Sequence, residues 1–420
     1  MSHQVELTVC ARIRRGAVPA LKQVLQKLSA DSGRNAFIPF ADIPTAHFGR
    51  LLIVEQLSRG PHLLLMIDAD APLDELVSSL VDRASRGLDL VFGLCEGYPP
   101  ASRRTRAARL AYVRSKTVGV DMFYVHKVGR TLEQVRQEAQ LRQAIERFAD
   151  DLVQGGGPPR SALEVRAAIR HFVEREPGLA WARQPAAPVD VRFQIRESIH
   201  KFGVPLVLLA LAPVLVPAVL AWFVVLRVRE LTDPAPQMVL DPDQLRELAQ
   251  LEDFVTQNAI STLAEVKPNW VWYLTATIFY GIANYTSRHV FNNGDLAGLK
   301  TVHFARFMRL DDKRRVLFTS YYDGSLEAYN NDFIDVVGWV LNAMFGNQVN
   351  YPRTRFLFGD GASDERGFKS FLRGHQIPTQ VWYSAYPELS AVNVDNNAEL
   401  RAGLYGNMSQ AEAEAWLRRV

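Results

Sequence analysis

The chain has 420 residues and nearly balanced charge, 48 basic against 45 acidic side chains. That excludes a dedicated nucleic-acid binder, whose basic face would show as a strong excess. Cys10 and Cys95 stand far apart with no CxxC or histidine at ligand spacing, so neither a disulfide framework nor a structural zinc site is expected.

From the N-terminus, Val5, Leu7, Val9, Ala11 and Ile13 alternate with Glu6, Thr8, Cys10, Arg12 and Arg14. A period of two marks a strand with one buried face. No basic stretch followed by an apolar one precedes it, so no secretory signal is expected. A helix over 16–30, strands over 46–56 and 62–69, a helix over 72–87, an inserted helix, a strand over 118–125 and a helix over 130–150 complete a first unit, residues 1–153. Gln154-Gly155-Gly156-Gly157-Pro158-Pro159 ends it by turn chemistry. Ser161 to Glu174 then reads as an amphipathic helix within a linker over 154–202.

Gly203 to Leu226 comes next, 24 residues without a charge, long enough to cross a hydrocarbon core of about 30 Å as a helix. Pro205, Pro213 and Pro217 interrupt it, and each interior proline removes a backbone hydrogen bond. The segment is therefore a full span or a proline-bent hairpin that enters and leaves one leaflet. Arg192, Arg196 and Lys201 precede it and Arg227 and Arg229 come after it, so the positive-inside rule gives no orientation for a span. Trp222 is placed for the headgroup level. A linker over 227–254 carries Asp233-Pro234-Ala235-Pro236, Asp241-Pro242 and a helix from Gln244 to Phe254.

A second unit, residues 255–410, reads as a strand over 257–267, a helix over 269–290, strands over 301–310 and 315–322, a helix over 325–343, an inserted helix, a strand over 379–386 and a helix over 388–404. Its first helix holds Trp270-Val271-Trp272-Tyr273 with Phe279 and Tyr280. It is apolar nearly all round, which suits an interfacial helix or ordinary core packing.

The two units align. Thr45-Ala46-His47-Phe48-Gly49-Arg50 lies over Thr301-Val302-His303-Phe304-Ala305-Arg306; Asp70 falls on Asp323, Phe92-Gly93 on Phe345-Gly346, Tyr98-Pro99 on Tyr351-Pro352, and Phe123-Tyr124 on Trp382-Tyr383. The offset stays between 253 and 259 and changes only between elements, as insertion into loops would produce. The expected fold is α+β: two repeats pairing within one chain, plus one apolar membrane segment.

Strand–helix–strand–strand–helix–strand is the ferredoxin-like order. In this order and in its duplication the chain resembles the dimeric α+β barrel superfamily, distantly the dye-decolorising peroxidases, as a membrane-anchored bacterial-type member. The superfamily also includes the chlorite dismutases, aldoxime dehydratases and antibiotic-biosynthesis monooxygenases. Ser320-Tyr321-Tyr322-Asp323-Gly324 keeps the Asp-Gly of the peroxidase GxxDG motif but lacks its leading glycine, and Phe358-Gly359-Asp360-Gly361 also departs from it. The resemblance implies an oxidoreductase of peroxidase or monooxygenase type, with heme as cofactor, acting on an apolar small molecule from the bilayer. His303 would be the axial ligand, and Arg306 or Asp323, with Tyr322 beside it, the polar group opposite. The alternative is a non-catalytic lipid- or hydrophobic-ligand-binding protein of the same architecture.

On a strand, residues i and i+2 share a face, so His303 is expected beside the small Ala305, with Arg306 on the other face unless a bulge intervenes. The second unit is the richer in polar groups. Tyr383 and the trio Asn393, Asn396 and Asn397, at i, i+3 and i+4 on one helical face, are expected to contact a ligand. Asp364 and Glu365 read as the first turn of a helix capped by Ser363, and no metal site is expected. Membrane lipid is the expected partner, a homo-oligomer stays open, and both units lie on one side of the membrane, the cytoplasmic one, if they pair.

Overall fold

A computed structural model describes residues 3–155, 161–184 and 190–420; the glycine–proline turn expected after 155 lies outside them. The chain runs β1 (Gln4–Arg12), α1 (Val18–Ser29), β2 (Ala46–Val54), β3 (His62–Asp70), α2 (Leu73–Val91), α3 (Arg106–Lys116), β4 (Met122–Val125) and α4 (Leu132–Gln154). A connecting stretch holds α5 (Ala162–Arg175), α6 (Val191–Ala210), α7 (Ala212–Thr232) and α8 (Pro242–Ala249). Then come β5 (Gln257–Glu265), α9 (Trp270–His289), β6 (Val302–Leu310), β7 (Arg315–Asp323) and α10 (Leu326–Phe345). A small hairpin of β8 (Thr354–Arg355) and β9 (Gly359–Asp360) precedes α11 (Glu365–His375), β10 (Val381–Ser384), α12 (Ala391–Ala402) and α13 (Gln410–Leu417).

The class is α+β, with two four-stranded antiparallel sheets in the orders β1-β3-β2-β10 and β4-β6-β7-β5. Each sheet takes one edge strand from the far half of the chain. β10 pairs with β2 through Tyr383↔Gly49, and β4 pairs with β6 through Tyr124↔Ala305. The sheets face each other. Leu52, Val54, Leu64 and Met66 of one meet Leu263, Met308, Leu310 and Leu317 of the other. The reverse face of the first sheet buries Leu7, Val9, Leu51 and Leu65 under α1, α2 and α3, and that of the second buries Phe307, Phe318 and Tyr322 under α9, α10 and α11. β2 and β3 are thus buried on both faces nearly throughout, with apolar runs over Leu51–Val54 and Leu63–Ile67, while β1 alternates.

α6 and α7 replace the single apolar element. No one helix among the described residues is long and apolar enough to cross a membrane; α6 and α7 meet the length and composition only jointly, and they are bent by 81°. The break falls at Leu211 because Pro213 has no N–H to give and its ring would strike the carbonyl of Leu209 in a continuous helix. At the second position of α7 the missing donor costs nothing. The bent pair fits a broken span or a hairpin that enters and leaves one leaflet.

The foot of α7 is fixed. The buried Glu230 carboxylate accepts from Thr354 Oγ1 at 2.7 Å, from the backbone N–H of Phe356 at 2.9 Å and Leu357 at 2.7 Å, and from Arg227 at 3.0 Å. Phe356 and Leu357 have φ of 51° and 65°, a left-handed pair that aims successive N–H groups at an anion. Glu230→Gln turns an acceptor-only group into one that must present a donor to donors. We expect a loss of about 2 kcal/mol, read by urea unfolding, with faster proteolysis between residues 233 and 241.

Candidate functional site

His47 and His303 each sit at a bulge. The pairing of β2 with β3 shifts register between Ala46 and Phe48, and that of β6 with β7 between Val302 and Phe304. A bulge adds one residue and reverses the facing of the residues after it. His303, Phe304 and Arg306 therefore all point between the sheets, while Ala305 and Phe307 point to the helices. This corrects the expectation that Ala305 leaves room beside the imidazole. At Gly49 the corresponding space holds the Phe40 ring, 2.6 Å from where a Cβ would be. At Ala305 the helix side opens into an apolar cavity of about 80 Å³ lined by Phe318, Phe333, Leu341 and Phe368.

Between the sheets, His303 Nε2 donates to Asp323 at 2.7 Å and His47 Nε2 to Asp70 at 3.0 Å. Each carboxylate also accepts the first N–H of a helix, Ala391 at 2.7 Å for Asp323 and Leu132 at 2.9 Å for Asp70. Burial pushes the Tyr386 phenol well above its usual range, so Tyr386 remains a donor, 3.1 Å from His47 Nδ1. The aromatic filling is Phe48 against Tyr321 at 4.3 Å and against His303 at 5.4 Å between ring centres.

Two arginines cross this seam in opposite directions. Arg50 donates to Tyr321 Oη at 2.8 Å, to the carbonyls of Ile260 at 2.8 Å and Ser320 at 3.0 Å, and to Ser261 Oγ at 2.9 Å. Arg306 donates to Thr8 Oγ1 at 3.0 Å and, in direct contact, to Asp68. Arg50, Arg306 and Asp68 are 1%, 2% and 0% exposed. Burial raises the pKa of Asp68, with Arg306 as the chief opposing charge.

The cavity beside His47, His303 and Tyr386 has about 30 Å³, about a single water's share. His303 Nε2 is already committed to Asp323. A space of this size holds no macrocycle, so the set does not fit a heme.

The remaining expected site residues disperse. Tyr322 faces the helices, packs tilted against Tyr329 with ring centres 4.2 Å apart and has no partner for its hydroxyl, and burial raises its pKa. Tyr383 lies behind the other sheet against Phe40. Asn393 closes a capping box with Ser390, Asn396 bonds Arg419 at 3.0 Å, and Asn397 accepts from Arg142 at 2.5 Å. The Nδ2 of Asn397 is buried without a hydrogen-bond partner. Asp364, not Ser363, caps α11, accepting from Gly367 at 2.9 Å. Among the described residues no three His, Cys, Asp or Glu side chains are placed to hold a metal.

What composition did not show is how the bent helices stand on α9. Near the C-terminal end of α9, Tyr285 Oη donates to the carbonyl of Lys201 at 2.6 Å, Arg288 pairs with Glu197, and His289 hydrogen-bonds His200 at 2.6 Å. At its N-terminal end Trp270 meets Trp222 of α7, with ring centres 5.8 Å apart. At 1.5 Å per residue, Trp270 to Tyr285 spans about 23 Å; two legs of about 15 Å, from Lys201 to Leu211 and from Ala212 to Trp222, bridge that distance at the observed bend and raise the apex about 10 Å beyond the footings. The three segments close into an arch. Trp270, Leu274, Ile278 and Ile282, at i, i+4, i+8 and i+12, share a face of α9 with Tyr285 and are 65%, 41%, 41% and 50% exposed. α6 has no buried residue and α7 only Leu226 and Glu230.

The chain matches no family model, no curated protein and no solved structure.

Proposed function

We propose that this chain is a diverged duplication of a ferredoxin-like unit, its copies paired as an intramolecular α+β barrel. It sits on one face of a membrane through the α6–α7 arch and binds lipid or another apolar molecule without catalysing a reaction. The observation that carries the membrane reading is that both legs of the arch are footed on one helix. An apex about 10 Å beyond its footings reaches the acyl boundary, not the far side of a core about 30 Å thick. Both sheets then lie on the same side. Basic flanks that gave no orientation for a span now agree, since Arg192, Arg196, Lys201, Arg227 and Arg229 all belong to one face, the cytoplasmic one by the positive-inside rule.

The duplication is supported by bonds that recur at the aligned positions: two bulged histidines, two aspartates joining histidine to a helix start, and two arginines reaching into the opposite sheet. The binding role is supported by the apolar cavity behind Ala305 and by the tight seam, whose space of about 30 Å³ leaves no room for a reacting substrate. Flotation of the full chain with phosphatidylcholine vesicles tests the membrane reading. The protein is expected at the top of the gradient; a chain left at the bottom would overturn it.

A further inference from the structure

A cavity of about 780 Å³ lies at the foot of α6. Its floor is apolar, with Val5 of β1 and Phe123 and Val125 of β4, where the edges of the two sheets come together. Its rim carries Arg196, Lys201 and Arg288 against Glu197 as the single carboxylate, an excess of two positive charges with histidines neutral. The amides of Asn284 and Asn293 face the same space. Glu197 holds Arg288 and lies 3.6 Å from Arg196, and both Arg196 and Lys201 are exposed at the rim. His3, on the N-terminal side, has its pKa lowered by burial first and by Arg196 next, the sign expected in a positive field.

Position makes the cavity specific. Lys201 is two residues before the charge-free segment begins, so the rim sits at headgroup level if the arch enters a bilayer. From this rim the exposed apolar face of α9 runs beneath the arch toward Trp270. A cationic pocket joined to an apolar track suits an amphiphile with a phosphate at one end and acyl chains at the other. A soluble anion would use only the pocket and leave the track wet.

We propose that this cavity binds the phosphate of an anionic phospholipid, with its acyl chains lying along Leu274, Ile278 and Ile282 under the arch. The proposal rests on the membrane reading above. The test compares flotation on pure phosphatidylcholine vesicles with vesicles holding one part phosphatidylglycerol in five, at matched ionic strength. Wild type should partition more strongly to the anionic vesicles. Arg196→Gln/Lys201→Gln should remove most of that preference, about thirty-fold at roughly 1 kcal/mol per basic group, and leave binding to phosphatidylcholine unchanged. Arg192→Gln/Arg229→Gln, with the same loss of charge beside the same apolar segment but outside the cavity, should lose clearly less. Equal losses from the two pairs would mean diffuse attraction and overturn the site. So would full displacement to the phosphatidylcholine level by inorganic phosphate, against chloride at the same ionic strength, which would indicate a soluble phosphate ligand. Equal partition of wild type to both vesicles would sink this site and spare the membrane reading; no binding to either would remove both.

Discussion

Replacing Arg306 by methionine is expected to destabilise the fold by about 3–5 kcal/mol, because it takes from the buried Asp68 its hydrogen-bonded counter-ion and leaves Arg50, bonded elsewhere, as the chief remaining opposing charge. Asp68 is fully buried, and its Oδ2 has no hydrogen-bond partner even with Arg306 in place. The variant's carboxyl must stay ionised at great cost or take up a proton. Its pKa, already raised by burial, rises further once the guanidinium is gone. A carboxyl raised in the folded state favours folding below its unfolded pKa, and that contribution is lost as pH climbs through the folded value. The penalty should therefore be largest near neutrality and shrink as pH falls toward 4. Arg306→Met/Asp68→Leu should recover most of the loss, since replacing both members of a buried pair with apolar groups is often neutral. Denaturant unfolding of the three variants decides the matter. A cost under about 1 kcal/mol for Arg306→Met would show that the arginine does not brace the seam.

Glutamate at both Leu209 and Val214 is expected to abolish flotation with phosphatidylcholine vesicles while leaving the fold intact. Both side chains are 71% exposed and flank the bend at Leu211. A charged side chain at the centre of a bilayer costs about 2.5–3.5 kcal/mol on insertion scales; a shallow apex meets about half of that, so the pair should cost about 3 kcal/mol, a drop in partition on the order of a hundred-fold. Val153→Glu/Val239→Glu, at still more exposed apolar positions outside the arch, should float as wild type does. If both pairs weaken binding alike, the arch is not what enters the lipid.

The local elements were legible because period and capping are local. The alternation from Val5 to Ile13 marks β1, and the expected helices over 72–87, 130–150 and 269–290 lie within a few residues of α2, α4 and α9. The bulges were not legible. A single extra residue at His47 and His303 leaves no compositional trace, yet it decides that Arg306 shares a face with His303 and that Ala305 does not. The exchange of β4 and β10 between sheets is also invisible locally, since strand partners hundreds of residues apart are chosen by the whole core. Asn396 and Asn397 suggested a ligand because asparagine is a poor helix former; their partners, Arg419 and Arg142, come from segments no window around residue 396 contains. The arch depends on the same kind of distant contact: three prolines announce a bend, but only Tyr285 and Trp270 show where its feet stand.

Single-cysteine labelling across the arch tests the one-sided attachment most directly. The two native thiols do not compete, because burial pushes Cys10 up to about 11 and Cys95 up to about 12 and leaves little thiolate at neutral pH. Ser198→Cys marks the foot of α6, Thr232→Cys the foot of α7 and Val214→Cys the apex, each probed with a membrane-impermeant maleimide on sealed inside-out and right-side-out vesicles. The account predicts that positions 198 and 232 label together in inside-out vesicles only, and that position 214 is protected in both. Labelling of 198 and 232 from opposite faces would contradict it.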